Sequence, residues 1–435
     1  MSTRVNGPPP DLADAVPASE RRSGRPSRVL AVRDRLETWP AWAVLLGFFA
    51  LTRLFTAGAI ETAALCCQNP AGVQTLTPGY SDMIGIWDGR WYQRIVEHGY
   101  PADLPVDQDT GLVTYSAWAF YPVFPFAVRA LVSVGIPFAV AAVVLNLALS
   151  AAAVLLIWKV LSSAATTVLQ RRMALLATLL WCLHPATAIL QVAYSEPMAC
   201  VEVAGFLLLL MRRRYAWAAL VVVVLGFTRA AAPPLAVVAL VHLVVRWKAE
   251  RSGGSPLAGQ RASAAVLVLA TAVSSISWPL YVGLSTGQLL GFFRVQAAWG
   301  QRPDRGPFLA WVSWAWDHQG LVGVLLLFGL VAAYISLVMG RHGAFLAMEV
   351  RAWALAYPLF LLAVVRPITS MWRFMLLDFP VAAILVSLAV RGADGGHVTS
   401  GWRRRLALTT VALLAGVLTW TLTLLTYLPW AGRPP

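Results

Sequence analysis

Charge is the scarcest commodity in this chain. Only 12% of its 435 residues are charged against 59% hydrophobic, and the mean hydropathy is +0.68. A soluble domain of this length has no use for so much apolar surface. Cysteine is nearly missing as well. Cys66, Cys67, Cys182 and Cys200 have no metal-ligand spacing; the last two lie in apolar runs, and the adjacent first two would close only a strained ring. Neither a disulfide framework nor a cysteine metal site is therefore expected. The six histidines are scattered and include no His-Glu-x-x-His. There is no Gly-x-x-x-x-Gly-Lys-Ser/Thr and no Gly-x-Gly-x-x-Gly at a strand–helix junction, which removes the support for nucleotide binding. Acidic residues number 20 against 34 basic ones, for a net charge of +14. Such a balance suggests nucleic acid, but the arginines sit in short clusters between apolar runs. That is a signal of membrane topology, and no nucleic-acid partner is expected.

What the chain does have is a series of apolar runs of about 13 to 23 residues from Pro40 to the C-terminus, against the roughly 20 needed to cross a bilayer. The runs are Pro40–Ile60, Pro137–Trp158, Met173–Leu190, Pro197–Met211, Tyr215–Thr228, Pro233–Val245, Ala262–Leu284, Gly320–Met339, Ala352–Val365, Phe374–Val390 and Leu406–Tyr427. They predict an all-α polytopic membrane protein with about eleven crossing helices, the shorter ones inside the bundle. Residues 1–38, rich in Arg, Pro, Ser and Ala, read as a disordered basic cytoplasmic tail without a cleavable signal peptide. Residues 39–430 form the transmembrane domain, and 61–116 its first external loop with an interfacial helix. Pro122, Pro125 and Pro137 mark Trp118–Gly135 as a re-entrant or broken helix. If that segment does not cross, every basic cluster from Lys159 to Arg403–Arg405 falls on the cytoplasmic side, as the positive-inside rule requires. The long acidic loop, Tyr194-Ser195-Glu196, Arg229, the loop 286–319 and Arg366–Arg373 then collect outside.

The most distinctive stretch is Ile84–Ile95. On a helical period Ile84, Trp87, Trp91 and Ile95 share one side, and Asp88 and Tyr92 form an i,i+4 pair beside them. This predicts an amphipathic helix lying at the headgroups with its aromatic side down. Glu196 and Arg229 stand at span ends, where an ionisable group is expensive unless it works or pairs. The plainer roles are an interfacial belt for the tryptophans, a cap for Asp82 or Glu196, and snorkelling anchors for Arg229, Arg366 and Arg373.

Six short motifs occur in the order Trp87-Asp88-Gly89-Arg90-Trp91-Tyr92 with Gly99-Tyr100, Ala119 to Pro125, His184-Pro185-Ala186, Tyr194-Ser195-Glu196, Thr228-Arg229 and Trp372-Arg373-Phe374. In these the chain resembles the PIG-V-like mannosyltransferases, GT-C glycosyltransferases, in their bacterial, actinobacterial form. The resemblance covers about Tyr80 to Pro380. It implies a GT-C-like fold in the cytoplasmic (inner) membrane, with mannose passed from a polyprenyl-phosphate-mannose donor to a glycolipid or lipid-linked glycan acceptor on the outer face. It also implies site roles: Asp88 as catalytic base, with Asp82 its rival; Arg373, Arg229 and Arg366 as candidates for the donor phosphate; and Glu196, Tyr194, Trp87, Trp91 and Tyr92 on the substrates. An inverting transfer needs a carboxylate to take the acceptor's proton and a fixed cation where charge grows on the leaving phosphate, for which arginine's planar fork is suited. No cofactor is expected; a divalent ion is compatible with the nearby acidic residues but lacks ligand spacing. A transporter or flippase for a lipid-linked sugar is the alternative from another class, as is a non-catalytic subunit of a glycan assembly complex. No second copy of the Trp87–Tyr100 segment supports the repeat architecture common among transporters.

Overall fold

The computed structural model describes residues 39–68, 78–253, 258–301, 306–391 and 398–425. The basic tail 1–38 and the end of the last expected span lie outside the described residues. By its contacts the chain divides between Val44 and Leu45, and the site described below lies wholly in the second unit. Among the described residues there is no strand, only the isolated bridges Val106–Val113 and Arg391–Val398. The protein is an all-α polytopic membrane protein.

Among the described residues seventeen α-helices follow one another: α1 Ala41–Cys67, α2 Tyr80–Ile84, α3 Asp88–His98, α4 Val123–Val132, α5 Phe138–Leu161, α6 Val168–Trp181, α7 Glu196–Met211, α8 Tyr215–Leu225, α9 Ala232–Arg251, α10 Arg261–Ser274, α11 Ser277–Ser285, α12 Gly291–Ala298, α13 Leu309–Met339, α14 Met348–Val364, α15 Met371–Phe374, α16 Pro380–Val390 and α17 Trp402–Thr423. Five of them, α1, α5, α9, α13 and α17, are long and apolar enough to cross a membrane. Two bent pairs raise this to seven, α10 with α11 at 48° and Met371–Leu377 with α16 at 85°. The other four of the eleven expected spans fold as the shorter α6, α7, α8 and α14, of 14, 16, 11 and 17 residues. Of these, α7 is buried along most of its length and packs on both α5 and α8. A helix so enclosed needs no lipid-facing length of its own.

Three local expectations are corrected. The first span runs on past Ile60 to Cys67, so Glu61 is helical, and its carboxylate accepts from the Tyr80 amide at 2.6 Å. Cys66 is disulfide-bonded, against the expectation of no bridge, whereas Cys182 and Cys200 are free and buried. Third, Ile84–Ile95 is not one helix. It breaks between α2 and α3 at Gly85–Trp87, with Trp87 at φ 54°, a region a bulky side chain rarely adopts. The break rotates the stripe, so α3 buries Asp88, Gly89, Tyr92, Ile95 and Val96, while Trp87 and Trp91 are only half-buried.

The segment 118–135 holds a single turn of 3₁₀ helix at Ala117–Ala119 and the ten-residue α4. At 1.5 Å per residue α4 is about 15 Å long, half a hydrocarbon core. A break at Gly320 (φ 57°, ψ −143°) divides α13 where the apolar run was expected to start.

Candidate active site

Asp88 is the first residue of α3, buried although it is charged. What brings it inward is backbone contact between the end of α2 and a non-helical stretch. The Ala193 amide donates to Ile84 O at 3.0 Å, and a Cβ on Gly89 would stand only 2.9 Å from that same oxygen. Glycine is needed at 89 because α3 begins against another piece of main chain. On the other side of the contact is the stretch 184–195, where α6 has ended and α7 has not begun. It contains a 3₁₀ turn at Thr187–Gln191.

Backbone without helical hydrogen bonds is costly inside a membrane protein unless side chains satisfy it. Here they do. From α5, Asn146 Nδ2 donates to the carbonyls of Val192 and Tyr194, the latter at 2.9 Å, and Ser150 Oγ donates to Leu190 O at 2.9 Å. From α1, Arg53 donates to Thr187 O at 2.5 Å and to Thr187 Oγ1 at 2.6 Å. These donors fix the entry to α7, which starts at Glu196 with Pro197 following.

Glu196 is fully buried, and its Oε1 receives two guanidinium groups, Arg229 Nη1 at 3.0 Å and Arg373 Nη1 at 3.2 Å. Arg373 turns its other terminal nitrogen, Nη2, onto Asp88 Oδ2 at 2.6 Å. Two arginines and two carboxylates thus form a closed, electrically neutral group drawn from α3, α7, α15 and the turn before α9. Ser195 Oγ accepts from both Tyr92 Oη at 3.0 Å and Arg229 Nη1 at 3.3 Å. Aromatic rings enclose the cations: Arg373 lies over Tyr194 and Phe374, and Arg229 over Phe374, with guanidinium carbons 4.8–5.1 Å from the ring centres. Screening is weak there, so the charges pull harder on one another and on any anion that enters.

Arg373 reaches the group because the chain bends sharply after it. The carbonyls freed at the bend are taken by Tyr357 Oη on Phe374 O at 3.0 Å, Trp181 Nε1 on Leu376 O at 2.9 Å and Trp353 Nε1 on Leu377 O at 2.8 Å. Burial pushes the Asp88 carboxyl above its ordinary value near 3.8; Arg373 opposes the rise and the charge of Glu196 adds to it.

Residues 43–244 match the family model described as mannosyltransferase (PIG-V). Over these residues the chain is similar to the PIG-V mannosyltransferase family. No curated protein matches it. The match supports a mannosyltransferase that works in a membrane with a sugar donor and a lipid-linked acceptor. It contains five of the six motifs of the PIG-V-like resemblance; Trp372-Arg373-Phe374 lies beyond it and joins the others only through the ion pairs of Arg373.

Of the residues expected at the site of this PIG-V-like chain, Asp88, Tyr92, Tyr194, Glu196, Arg229 and Arg373 meet in one group. Trp87 precedes Asp88 as the helix-capping residue. Trp91, one turn on, stacks on Phe120 at 5.8 Å and meets Trp299 edge-on at 5.8 Å. Asp82 and Arg366 are elsewhere. Asp82 is exposed and accepts from the Gly79 amide at 2.9 Å, capping α2. Arg366 is exposed and donates to Trp299 O at 3.3 Å, lining a cavity of about 600 Å³ with Gly300, Trp314 and Asp317. No described hydrogen bond or ion pair joins either residue to the group around Glu196. Near that cavity Trp311 donates to Val365 O at 2.7 Å, and Trp314 is exposed.

The sequence reading passed over Ser195 as a site residue, and Asn146 and Arg53 as its supports. Arg53 and Asn146 carried a signal: each is a strongly polar residue in the middle of an apolar run, a position that is expensive without a partner.

Among the described residues no group of three or more His, Cys, Asp or Glu is arranged to hold a metal ion.

Proposed function

We propose that the chain transfers mannose from a polyprenyl-phosphate-mannose donor to a glycolipid or lipid-linked glycan on the outer face of the cytoplasmic membrane, with inversion, as a GT-C-type enzyme. The observation that carries this reading is the contact between Asp88 and Arg373, one of the two arginines paired with Glu196. It sets a carboxylate able to take a proton beside cations suited to a phosphate leaving group.

In the reaction the acceptor hydroxyl gives its proton to Asp88 while its oxygen forms the bond to the anomeric carbon. The bond from that carbon to the phosphate oxygen breaks, and its electron pair leaves with polyprenyl phosphate. Arg373 and Arg229 stabilise the charge that develops on the phosphate, in a site where weak screening makes them effective. Glu196 holds the two arginines in place. Tyr92 and Ser195 orient Arg229, and Tyr194 shields Arg373; Trp87 and Trp91 shape the approach on the α3 side.

The test is transfer of radiolabelled mannose from synthetic polyprenyl-phospho-mannose to membrane lipids by the purified protein. Labelled lipid is the expected product. Absence of transfer, when the same preparation moves lipid-linked sugar across a vesicle membrane, would replace the enzyme by a transporter.

A further inference from the structure

The closed ion-pair group is at odds with the roles given to its members. A general base cannot accept a proton freely while an arginine holds it at 2.6 Å, and that arginine has both terminal nitrogens turned onto carboxylates, with its buried Nε left without a partner. We infer that Asp88 occupies the phosphate seat on Arg373 in the empty protein, and that an incoming lipid phosphate displaces it, so that donor binding itself releases the base. The inference rests on the proposed donor and names a new role for the Asp88–Arg373 contact.

Three features make Asp88 the partner that yields. Glu196 is completely enclosed and serves both arginines through Oε1, so losing it would leave Arg229 buried without an anion and Arg373 with Asp88 alone. Asp88 serves Arg373 alone, and its side chain retains 12% exposure against none for Glu196. Finally, Asp88 begins a helix directly after a strained residue, Trp87 at φ 54°, where a small change of main chain redirects the side chain. Displacement also follows the charge. The group as it stands is neutral, and a phosphodiester adds one negative charge. Proton transfer to Asp88 then removes the charge from the carboxylate as the same charge appears on the departing phosphate. Arg373 exchanges one anion for another, and the total charge in the site is unchanged across the step.

A merely structural ion pair and an exchangeable one predict opposite effects of removing the carboxylate. Binding of a synthetic polyprenyl monophosphate to the full-length protein in lipid nanodiscs is the measurement, with the matching polyprenyl alcohol as control for tail affinity. Asp88→Asn is expected to lose most transfer yet to bind the monophosphate about tenfold more tightly than wild type, equivalent to about 1.4 kcal/mol. Arg373→Ala is expected to lose that preference of phosphate over alcohol. Asp88→Ala repeats the test, so that a folding defect of the Asn variant does not decide it. Wild-type or weaker phosphate binding by both Asp88 variants, with wild type and Arg373→Ala behaving as stated, overturns the exchange and leaves the donor reading standing. No preference of the wild type for phosphate over alcohol overturns both.

Discussion

At the scale of single residues, two aspartates once competed for one role, and their surroundings now separate them. Asp82 is exposed and spends its carboxylate on the Gly79 amide. Asp88 is buried against Arg373. Asp88→Asn keeps the shape of the side chain but cannot take a proton, so transfer should fall on the order of 100-fold to 10,000-fold. Asp82→Asn should cost no more than about 1 kcal/mol of local helix stability and leave transfer near wild type; single-turnover transfer assays on both variants check this. Near-wild-type transfer by Asp88→Asn would end its role as base. The pH profile gives a second reading. Because burial raises the Asp88 carboxyl, and only the ionised form acts as base, activity is present at high pH and lost as pH falls through the raised value. The acid limb of kcat/KM should therefore lie above pH 4, the ordinary carboxylate range, and should be missing from the residual activity of Asp88→Asn. Asp107 provides the contrast. The amide and hydroxyl of Thr110 and the amide of Asp109 hold its carboxyl below the ordinary range, so its turn should persist through the same pH interval.

At the scale of elements, the site depends on places where helices stop. Charged residues at the ends of apolar runs were legible as candidates because burial without a partner is expensive, and that argument reached Glu196 and Arg229 directly. Periodicity was a poorer guide to α3. A pattern continuous from Ile84 to Ile95 hides the break at Trp87, because three residues of main chain shift the phase of a helix without changing its composition. Nor does any local pattern reveal that Asn146 on α5 holds the Tyr194 carbonyl, since that bond joins residues 48 apart in sequence. Gly89 tests whether the close approach of α3 sets the chemistry. An added methyl group would meet Ile84 O at 2.9 Å, whereas at Gly205 within α7 it would meet nothing within 4 Å. Gly89→Ala should push the start of α3 away from the end of α2. A displacement of about 1 Å at Asp88 is enough for a loss on the order of 100-fold in turnover. Gly205→Ala should leave turnover unchanged and, by helix propensity, make the protein slightly more stable. Equal turnover in the two variants would show that Asp88 tolerates movement and that the packing of Gly89 matters only for folding.

At the scale of the whole molecule, the ion pairs constrain the path of the chain. Glu196 and Arg229 touch at 3.0 Å although α7 and α8 lie between them in sequence, and Arg373 reaches the same carboxylate after α9 to α14 have intervened. Residues in contact are at one depth, so the chain makes an even number of passes from 196 to 229 and again from 229 to 373. A second polar group agrees. Tyr215 at the start of α8 and Glu349 at the start of α14 both bond to His242 of α9, at 3.0 and 2.6 Å, so these two helix starts also share a level. The basic residues Arg212–Arg214, Arg246, Lys248 and Arg351 flank that second group in sequence, which by the positive-inside rule makes it the cytoplasmic end. On the proposed topology the acidic and aromatic group around Asp88 faces outward, which requires that 118–135 does not cross. A reporter fused after Arg213 should read cytoplasmic, and one fused after Gln288, between α11 and α12, should read external. Reversed readings at both sites would mean that one pass is missing or added before α6, and would put the donor on the cytoplasmic face. The same side at both sites would break the even-pass argument itself, and with it the assignment of Glu196, Arg229 and Arg373 to a single membrane face.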